Sequence, residues 1–187
     1  MTKNKVIDIL NLIKTTYHYA YRDFTKEQFC DLCTVWYECL KSFTDEQVGK
    51  AVQIALMQKT TPPVPADIVE NAKKAILLEK PTDTEYWNML LVAVDKIKNT
   101  YVQEYPGSAY RTPLYQLKDK LKCANIYDEL PIEVKKTIDF GTFLTYGGLD
   151  EKSIAIERNR FLKAIPEVKQ ALLEQQLTKG NTLLLPT

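Results

Sequence analysis

Glycine is scarce in this chain of 187 residues, which contains six glycines, about half of the usual share of roughly 7%. The sequence also lacks the G-x-x-x-x-G-K-[ST] and G-x-G-x-x-G segments whose glycines let the backbone approach phosphates. Few segments combine alternating β-branched residues with hairpin turn signals. These absences argue against a β-rich fold and against nucleotide-binding loops.

Long apolar runs and an excess of one charge are missing as well. No uninterrupted apolar run has the length of a membrane span, and the start of the chain lacks the core of a signal peptide. The 25 Lys and Arg residues nearly balance the 24 Asp and Glu residues, so no overall field attracts the chain to nucleic acid or to an anionic membrane. We therefore expect a cytoplasmic protein without a membrane partner.

Residues that carry metal or nucleophilic chemistry are few. Four cysteines and one histidine are present, and without a signal peptide the cysteines are not expected to form disulfides. Cys30 and Cys33 have the spacing of half a zinc site, but no second close pair completes the four ligands. Both lie in a predicted helix among apolar residues, so we predict that they are core residues, and that His18 is packed or on the surface. The sequence predicts no catalytic residue, no metal, no cofactor and no enzyme activity.

Apolar residues at helical spacing run through most of the chain and predict an all-α fold. Capping boxes that begin at Thr25, Thr44 and Thr82 mark helix starts. Trp36 lies on the apolar stripe of the second helix and is predicted to anchor the core of the first domain. The predicted helices start near Thr2, Thr25, Thr44, Pro65, Thr82, Leu114, Pro131, Asp150 and Pro166.

The pattern also predicts details of the second half. The stripe of the fifth helix continues to Tyr101, Gly141 is a left-handed cap that ends the seventh helix, and Pro166 begins a separate last helix that ends near Leu177. Leu114, Leu117, Leu121 and Ala124 are predicted to continue as the sixth helix.

A proline-marked break at Lys80–Asp83 is the best candidate for a domain boundary. A helix ends before it, and the capping box at Thr82 restarts a helix after it. We predict an N-terminal helical domain at 1–80, a C-terminal helical domain at 81–178 and a flexible tail at 179–187.

Two segments carry candidate partner-binding residues. The Pro-Gly turn between 105 and 113, which forms at most a short hairpin, holds Tyr105, Tyr110 and Arg111, although loop aromatics also pack back on their own domain. The tail holds Leu183, Leu184 and Leu185, which are expected either to dock on a partner or to fold back onto the last helix. Both interpretations stay open from the residues alone.

The order of several segments resembles a known family. The segments Val35-Trp36-Tyr37-x-x-Leu40 and Pro62-Pro63-x-x-Ala66-Asp67-Ile68 resemble the N-terminal domain of the phage-encoded replicative helicase loader/inhibitor proteins. The second half is similar to longer members from prophages of Gram-positive bacteria, at Trp87, Leu130-Pro131 and Arg158 to Lys163. The resemblance extends from about Val6 to about Lys163.

This resemblance implies a non-enzymatic adaptor in the cytoplasm of a bacterial host. Such an adaptor binds a hexameric DnaB-type helicase, suppresses it and hands it to an origin-bound initiator for loading on single-stranded DNA. Nucleic acid is then contacted only indirectly or weakly. Because C-terminal segments of those loaders are implicated in helicase contact, the resemblance favours docking of Leu183 to Leu185.

The alternative is a module that binds DNA directly. Its candidate residues are Arg158, Arg160 and Lys163, together with the lysine pairs 73–74 and 135–136. A DNA-binding domain tends to have a pI above about 9, whereas this sequence has a pI of about 7.6. An enzyme with an unrecognised active site ranks third.

Overall fold

The computed structural model describes residues 1–98, 101–103, 111–113 and 117–179, and it confirms the all-α fold. Two three-residue strands form an antiparallel hairpin in which Val102 lies opposite Thr112. The fifth helix ends at Ile97, and Tyr101 begins the first strand, so the predicted continuation of the helix to Tyr101 is wrong.

The elements are α1 Lys3–Thr16, a 3-10 turn His18–Ala20, α2 Lys26–Leu40, α3 Asp45–Gln58, α4 Pro65–Glu79, α5 Asp83–Ile97, β1 Tyr101–Gln103, β2 Arg111–Pro113, α6 Leu117–Asp128, α7 Ile132–Thr137, α8 Phe140–Tyr146 and α9 Glu151–Lys179. In the described residues, no helix is both long enough and apolar enough to cross a membrane.

Side chains at the helix starts explain where most helices begin. The hydroxyls of Thr25, Thr44 and Thr82 each accept a hydrogen bond from the backbone amide three residues later, and the side chain at that position accepts from the threonine amide in return. These are the three predicted capping boxes. The carboxylates of Asp139 and Asp150 accept in the same way at the starts of α8 and α9. At each of these starts, one of the first-turn amides that have no partner within the helix is thereby satisfied.

The chain divides into two compact units. Among the described residues, the first contains Met1–Lys80 together with 173–179, and the second contains Pro81–Leu172. Helix α9 therefore begins in the second unit, and its last turns belong to the first. The functional domains 1–80, 81–178 and 179–187 stay a prediction.

The core of the first unit is built around Trp36, whose side chain is 2% exposed, as predicted. Helix α3 contributes the small buried residues Ala51 and Ala55, which let α4 pack closely against it. The hydroxyl of Tyr17 donates to the carbonyl of Lys59 over 2.8 Å and ties the end of α1 to the end of α3. This unit therefore has its own closed apolar core.

The core of the second unit centres on aromatic rings. The ring centroid of Trp87 on α5 lies 5.4 Å from that of Phe161 on α9 and 6.3 Å from that of Tyr146 on α8. Tilted ring pairs at these distances are favourable beyond the area they bury. Phe143 and Ile165 complete the centre of this core and have no exposed surface.

The inner face of α6 is formed by other residues than Leu121, and the side chains of Leu114 and Leu117 lie outside the described residues. Leu121 is 57% exposed, whereas Cys123 is buried and Tyr127 packs on the core. The hydroxyl of Tyr127 donates to the carbonyls of Lys135 and Ile138. These contacts with the following segment set the rotation of the helix, and they cannot be read from the leucine spacing.

Two predictions for the last helices are also wrong. Gly141 lies inside α8 and caps nothing, because α7 ends in extended backbone at Ile138 and Asp139 restarts a helix at once. Pro166 lies inside the single helix α9. A proline there removes one helical hydrogen bond at a cost of about 3 kcal/mol. Burial of Ile165 before it and of Leu173 after it offsets that cost and keeps the helix continuous.

Candidate partner-binding surfaces

The predicted partner-binding residues lie mostly outside the described part of the chain. This holds for Tyr105, Tyr110 and the tail leucines Leu183, Leu184 and Leu185. The backbone of Arg111 begins β2 opposite Gln103, and its side chain lies outside the described residues. Their role in partner binding stays a prediction.

The basic residues proposed for DNA binding do not form one face. Arg158, Arg160 and Lys163 are all exposed on α9. Successive residues turn by about 100° around a helix, so Arg160 and Lys163 lie on one side, whereas Arg158 lies about 160° from Arg160. The guanidinium of Arg160 also pairs with the carboxylate of Glu157 over 2.6 Å, which offsets its charge.

The lysines proposed beside them are paired in the same manner. Lys74 pairs with Glu70 over 2.6 Å, and Lys73 pairs with Glu174 over 3.8 Å. The ammonium group of Lys135 donates to the carbonyl of Asp128 over 2.9 Å. DNA-binding domains concentrate unpaired positive charge on one face, whereas Lys73 and Lys74 each have a carboxylate partner.

Two buried tyrosines of the second unit bond to carboxylates. The hydroxyl of Tyr146 donates to Glu157 over 3.2 Å, and burial raises the pKa of Tyr146 well above its usual value. Burial and the neighbouring carboxylate of Glu133 raise the pKa of Tyr86 to about 12. Both phenols keep their protons at neutral pH, so they act as structural hydrogen-bond donors.

An acidic residue holds the loop before α4 in place. The carboxylate of Asp67 accepts a hydrogen bond from the amide of Val64 over 2.8 Å and pairs with Lys59 over 2.6 Å. The hydrogen bond from Lys59 and then that from Val64 lower the pKa of Asp67. Asp67 belongs to the Pro-Pro-x-x-Ala-Asp-Ile segment, and its contacts explain how that segment closes the loop between α3 and α4.

The cysteines are not all core residues. Cys30 is exposed and Cys33 is half-buried, so the prediction for Cys30 is wrong. On α2, Cys30 lies about 120° and Cys33 about 60° around the helix from the inward-facing Trp36. Partial burial, followed by the nearby thiol of Cys30, raises the pKa of Cys33 and keeps its thiol protonated. Within the described ranges, no three His, Cys, Asp or Glu side chains come together as a metal site.

His18 lies on the surface, in the 3-10 turn after α1. Its ring stands edge-on to that of Tyr19, with the centroids 6.1 Å apart. A surface position is one of the two that the sequence predicted for this histidine.

An apolar groove on the second unit was not predicted. It has a volume of about 510 Å³ and lies between α5 and the segment that joins α6 to α7. Met89 and Val92 line it from α5, with Val92 60% exposed, and Ile126 lies across from them. At its rim the ammonium of Lys96 lies 4.0 Å from the carboxylate of Glu129. Met89, Val92 and Lys96 are spaced at i, i+3 and i+7, so they share the side of α5 away from the core. This spacing is the feature of the sequence that could have indicated an apolar wall of the groove.

Comparison with known proteins finds a similar family for the start of the chain. Residues 1–69 match the family model for the N-terminal domain of the gene 39 protein, the helicase loader/inhibitor of phage SPP1. The match covers α1 to α3 and the start of α4, including both segments on which the resemblance rests. No curated protein and no solved structure matches the chain. Residues 1–69 of this chain are therefore similar to the N-terminal domain of the phage helicase loader/inhibitors.

Proposed function

We propose that this protein is a non-enzymatic adaptor of phage or prophage DNA replication. It binds a hexameric DnaB-type helicase in the host cytoplasm, inhibits it and delivers it to an origin-bound initiator for loading on single-stranded DNA. The observation that carries this proposal is the match of residues 1–69 to the loader/inhibitor family. The self-contained core of that unit is consistent with a domain that works by docking.

Charge pairing disfavours direct DNA binding as the main function. Arg160, Lys73 and Lys74 each have a carboxylate partner, so part of the positive charge considered for contact with a phosphate backbone is already offset. In the proposal, the helicase and not this chain makes the principal contacts with DNA.

Reversal of Arg158 and Arg160 to glutamate tests this distinction. We expect helicase binding to change by less than about threefold, since neither side chain forms part of the predicted docking tail. The unmodified protein is itself expected to bind single-stranded DNA only weakly. Both are measured by fluorescence anisotropy with a purified helicase and with a labelled single strand. Sub-micromolar binding to the single strand that falls steeply with salt would favour the DNA-binding alternative.

Docking on the helicase is assigned to the tail leucines Leu183, Leu184 and Leu185. Three adjacent leucines offer a large apolar surface, and burial of one leucine side chain is worth about 1.5–3 kcal/mol. The Gly180-Asn181 pair before them favours an end of the helical conformation. This assignment follows from the family resemblance and from the residue types.

Deletion of residues 181–187 tests the assignment. We expect the melting temperature to stay unchanged and helicase association to weaken by at least about tenfold. Association is measured by sedimentation with the purified helicase, and melting by circular dichroism. Removal of Pro186 and Thr187 alone is the matched control, because it shortens the tail without loss of a leucine. A lowered melting temperature with intact association would show that the leucines fold back on the chain.

A further inference from the structure

The side of helix α5 that faces away from the core exposes apolar side chains. Val92 is 60% exposed, whereas Leu90, on the opposite side of the helix, has no exposed surface. Successive residues turn by about 100° around a helix, so Met89 lies on one side of Val92 and Leu91 on the other. Val92 therefore forms a ridge that points away from the core of the second unit.

An apolar groove lies on each side of this ridge. The groove of about 510 Å³ lies on the side of Met89. A second groove of about 390 Å³ lies on the side of Leu91, with Leu149 and Ile154 across from it. Val92 lines both grooves. The ridge and its two grooves together form one apolar surface across α5, which we name the α5 outer surface.

Two lysines at the edges of the α5 outer surface are already paired with acids. The ammonium of Lys96 lies 4.0 Å from the carboxylate of Glu129 in the first groove. The ammonium of Lys98 lies 2.7 Å from the carboxylate of Asp95 in the second. These pairs are largely exposed and add little stability, but each offsets the positive charge of its lysine.

Two further acids give the surface an excess of negative charge. Glu85 lines the first groove and Glu151 lines the second, and no third lysine or arginine is among the described residues that line the two grooves. The hydrogen bond from the backbone amide of Thr82, followed by that from its hydroxyl, lowers the pKa of Glu85, which is therefore ionised at neutral pH. A partner with positive charge around an apolar face is complementary to such a surface.

We propose that the α5 outer surface docks a basic amphipathic helix of a partner protein. Apolar side chains on one face of that helix enter the two grooves and pack against Val92, as the ridges of one helix fit the grooves of another. Lysine or arginine side chains on its flanks face Glu85 and Glu151. The apolar contact supplies most of the affinity, and the charges select a basic partner over an acidic one. This proposal does not involve the tail leucines and stands separately from the proposed function.

Two synthetic helical peptides test the proposal on the full-length protein. Both have about five helical turns and the same leucine face, and they carry either lysines or glutamates on its flanks. We expect the lysine peptide to bind at least about tenfold more tightly in fluorescence anisotropy. Replacement of both Glu85 and Glu151 by glutamine is expected to reduce this ratio to less than about threefold. If the unmodified protein binds the two peptides alike, or does not bind the lysine peptide, the proposal is wrong.

Val92→Asn tests the apolar ridge. We expect this variant to bind the lysine peptide at least about tenfold more weakly than the unmodified protein. Ile156→Asn is the matched control, because Ile156 is 56% exposed in the same unit and lines neither groove. It is expected to leave binding within about twofold. Equal binding by Val92→Asn and by the unmodified protein overturns the proposal, whereas the glutamine variants keep it testable if Val92→Asn disturbs the fold.

Sedimentation equilibrium of the full-length protein distinguishes a partner protein from a second copy of this chain. We expect a monomer. A dimer that dissociates in Val92→Asn would show that a second copy covers the surface, and it would overturn the proposal.

Discussion

Replacement of Trp36 by alanine is expected to lower the free energy of unfolding of the first unit by about 3–5 kcal/mol, the usual cost of truncating a buried tryptophan. The indole is almost fully enclosed at the centre of the core that α1, α3 and α4 share with α2. Its removal leaves a cavity that small side chains of the same core, such as those of Ala51 and Ala55, cannot fill. A loss of this size is a large fraction of the stability of a small domain.

Chemical denaturation followed by circular dichroism measures this effect. Val35→Ala is the matched control, because Val35 is the preceding residue of α2 and is 56% exposed. We expect that control to change stability by no more than about 0.5 kcal/mol. A loss below about 1 kcal/mol for Trp36→Ala would show that Trp36 does not anchor the core.

Replacement of Phe161 by alanine is expected to destabilise the second unit to a similar degree, by about 3–5 kcal/mol. Phe161 is buried, and its ring lies 5.4 Å from that of Trp87. Removal of the ring opens a cavity between α5 and α9 and also removes the favourable ring pair.

Fluorescence of Trp87 reports this unfolding directly in a Trp36→Phe background, where it is the remaining indole of the two. Ile156→Ala, at an exposed position of α9, serves as the control. Phe161→Leu is expected to recover more than half of the loss because it restores most of the volume. Equal stabilities of the alanine and leucine variants would contradict a packed role for this ring.

Helix starts and core anchors were the features best predicted from the sequence. The boxes at Thr25, Thr44 and Thr82 depend on groups within one turn of each other, so local sequence contains the whole interaction. Trp36 and Trp87 lie on long stripes with helical period, where burial of one side is the main driving force.

Features set by distant segments could not be predicted in this way. The rotation of α6 depends on the hydroxyl of Tyr127 reaching Lys135 and Ile138. Pro166 stays inside α9 because residues on both sides of it are buried by other helices. Local rules for proline favour a helix start there, and tertiary packing overrides them.

The candidate partner-binding surfaces also contain a part that the sequence predicts and a part that it does not. The family of the first unit could be recognised from Val35-Trp36-Tyr37-x-x-Leu40, and its match to residues 1–69 confirms that recognition. The groove beside Val92 and the contact of Lys73 with Glu174 join segments far apart in the chain. The spacing of residues on α5 shows one wall of the groove, but no motif spacing shows which distant segment lies across from it or which residue pairs with Lys73.

The most direct test of the helicase adaptor is sedimentation of the purified full-length protein with a purified hexameric DnaB-type helicase, together with the unwinding rate of that helicase. The account predicts that the protein sediments with the helicase, that the complex changes by less than about threefold in affinity between about 50 and 200 mM salt, and that unwinding slows as the protein is added. Independent sedimentation and an unchanged unwinding rate would contradict it.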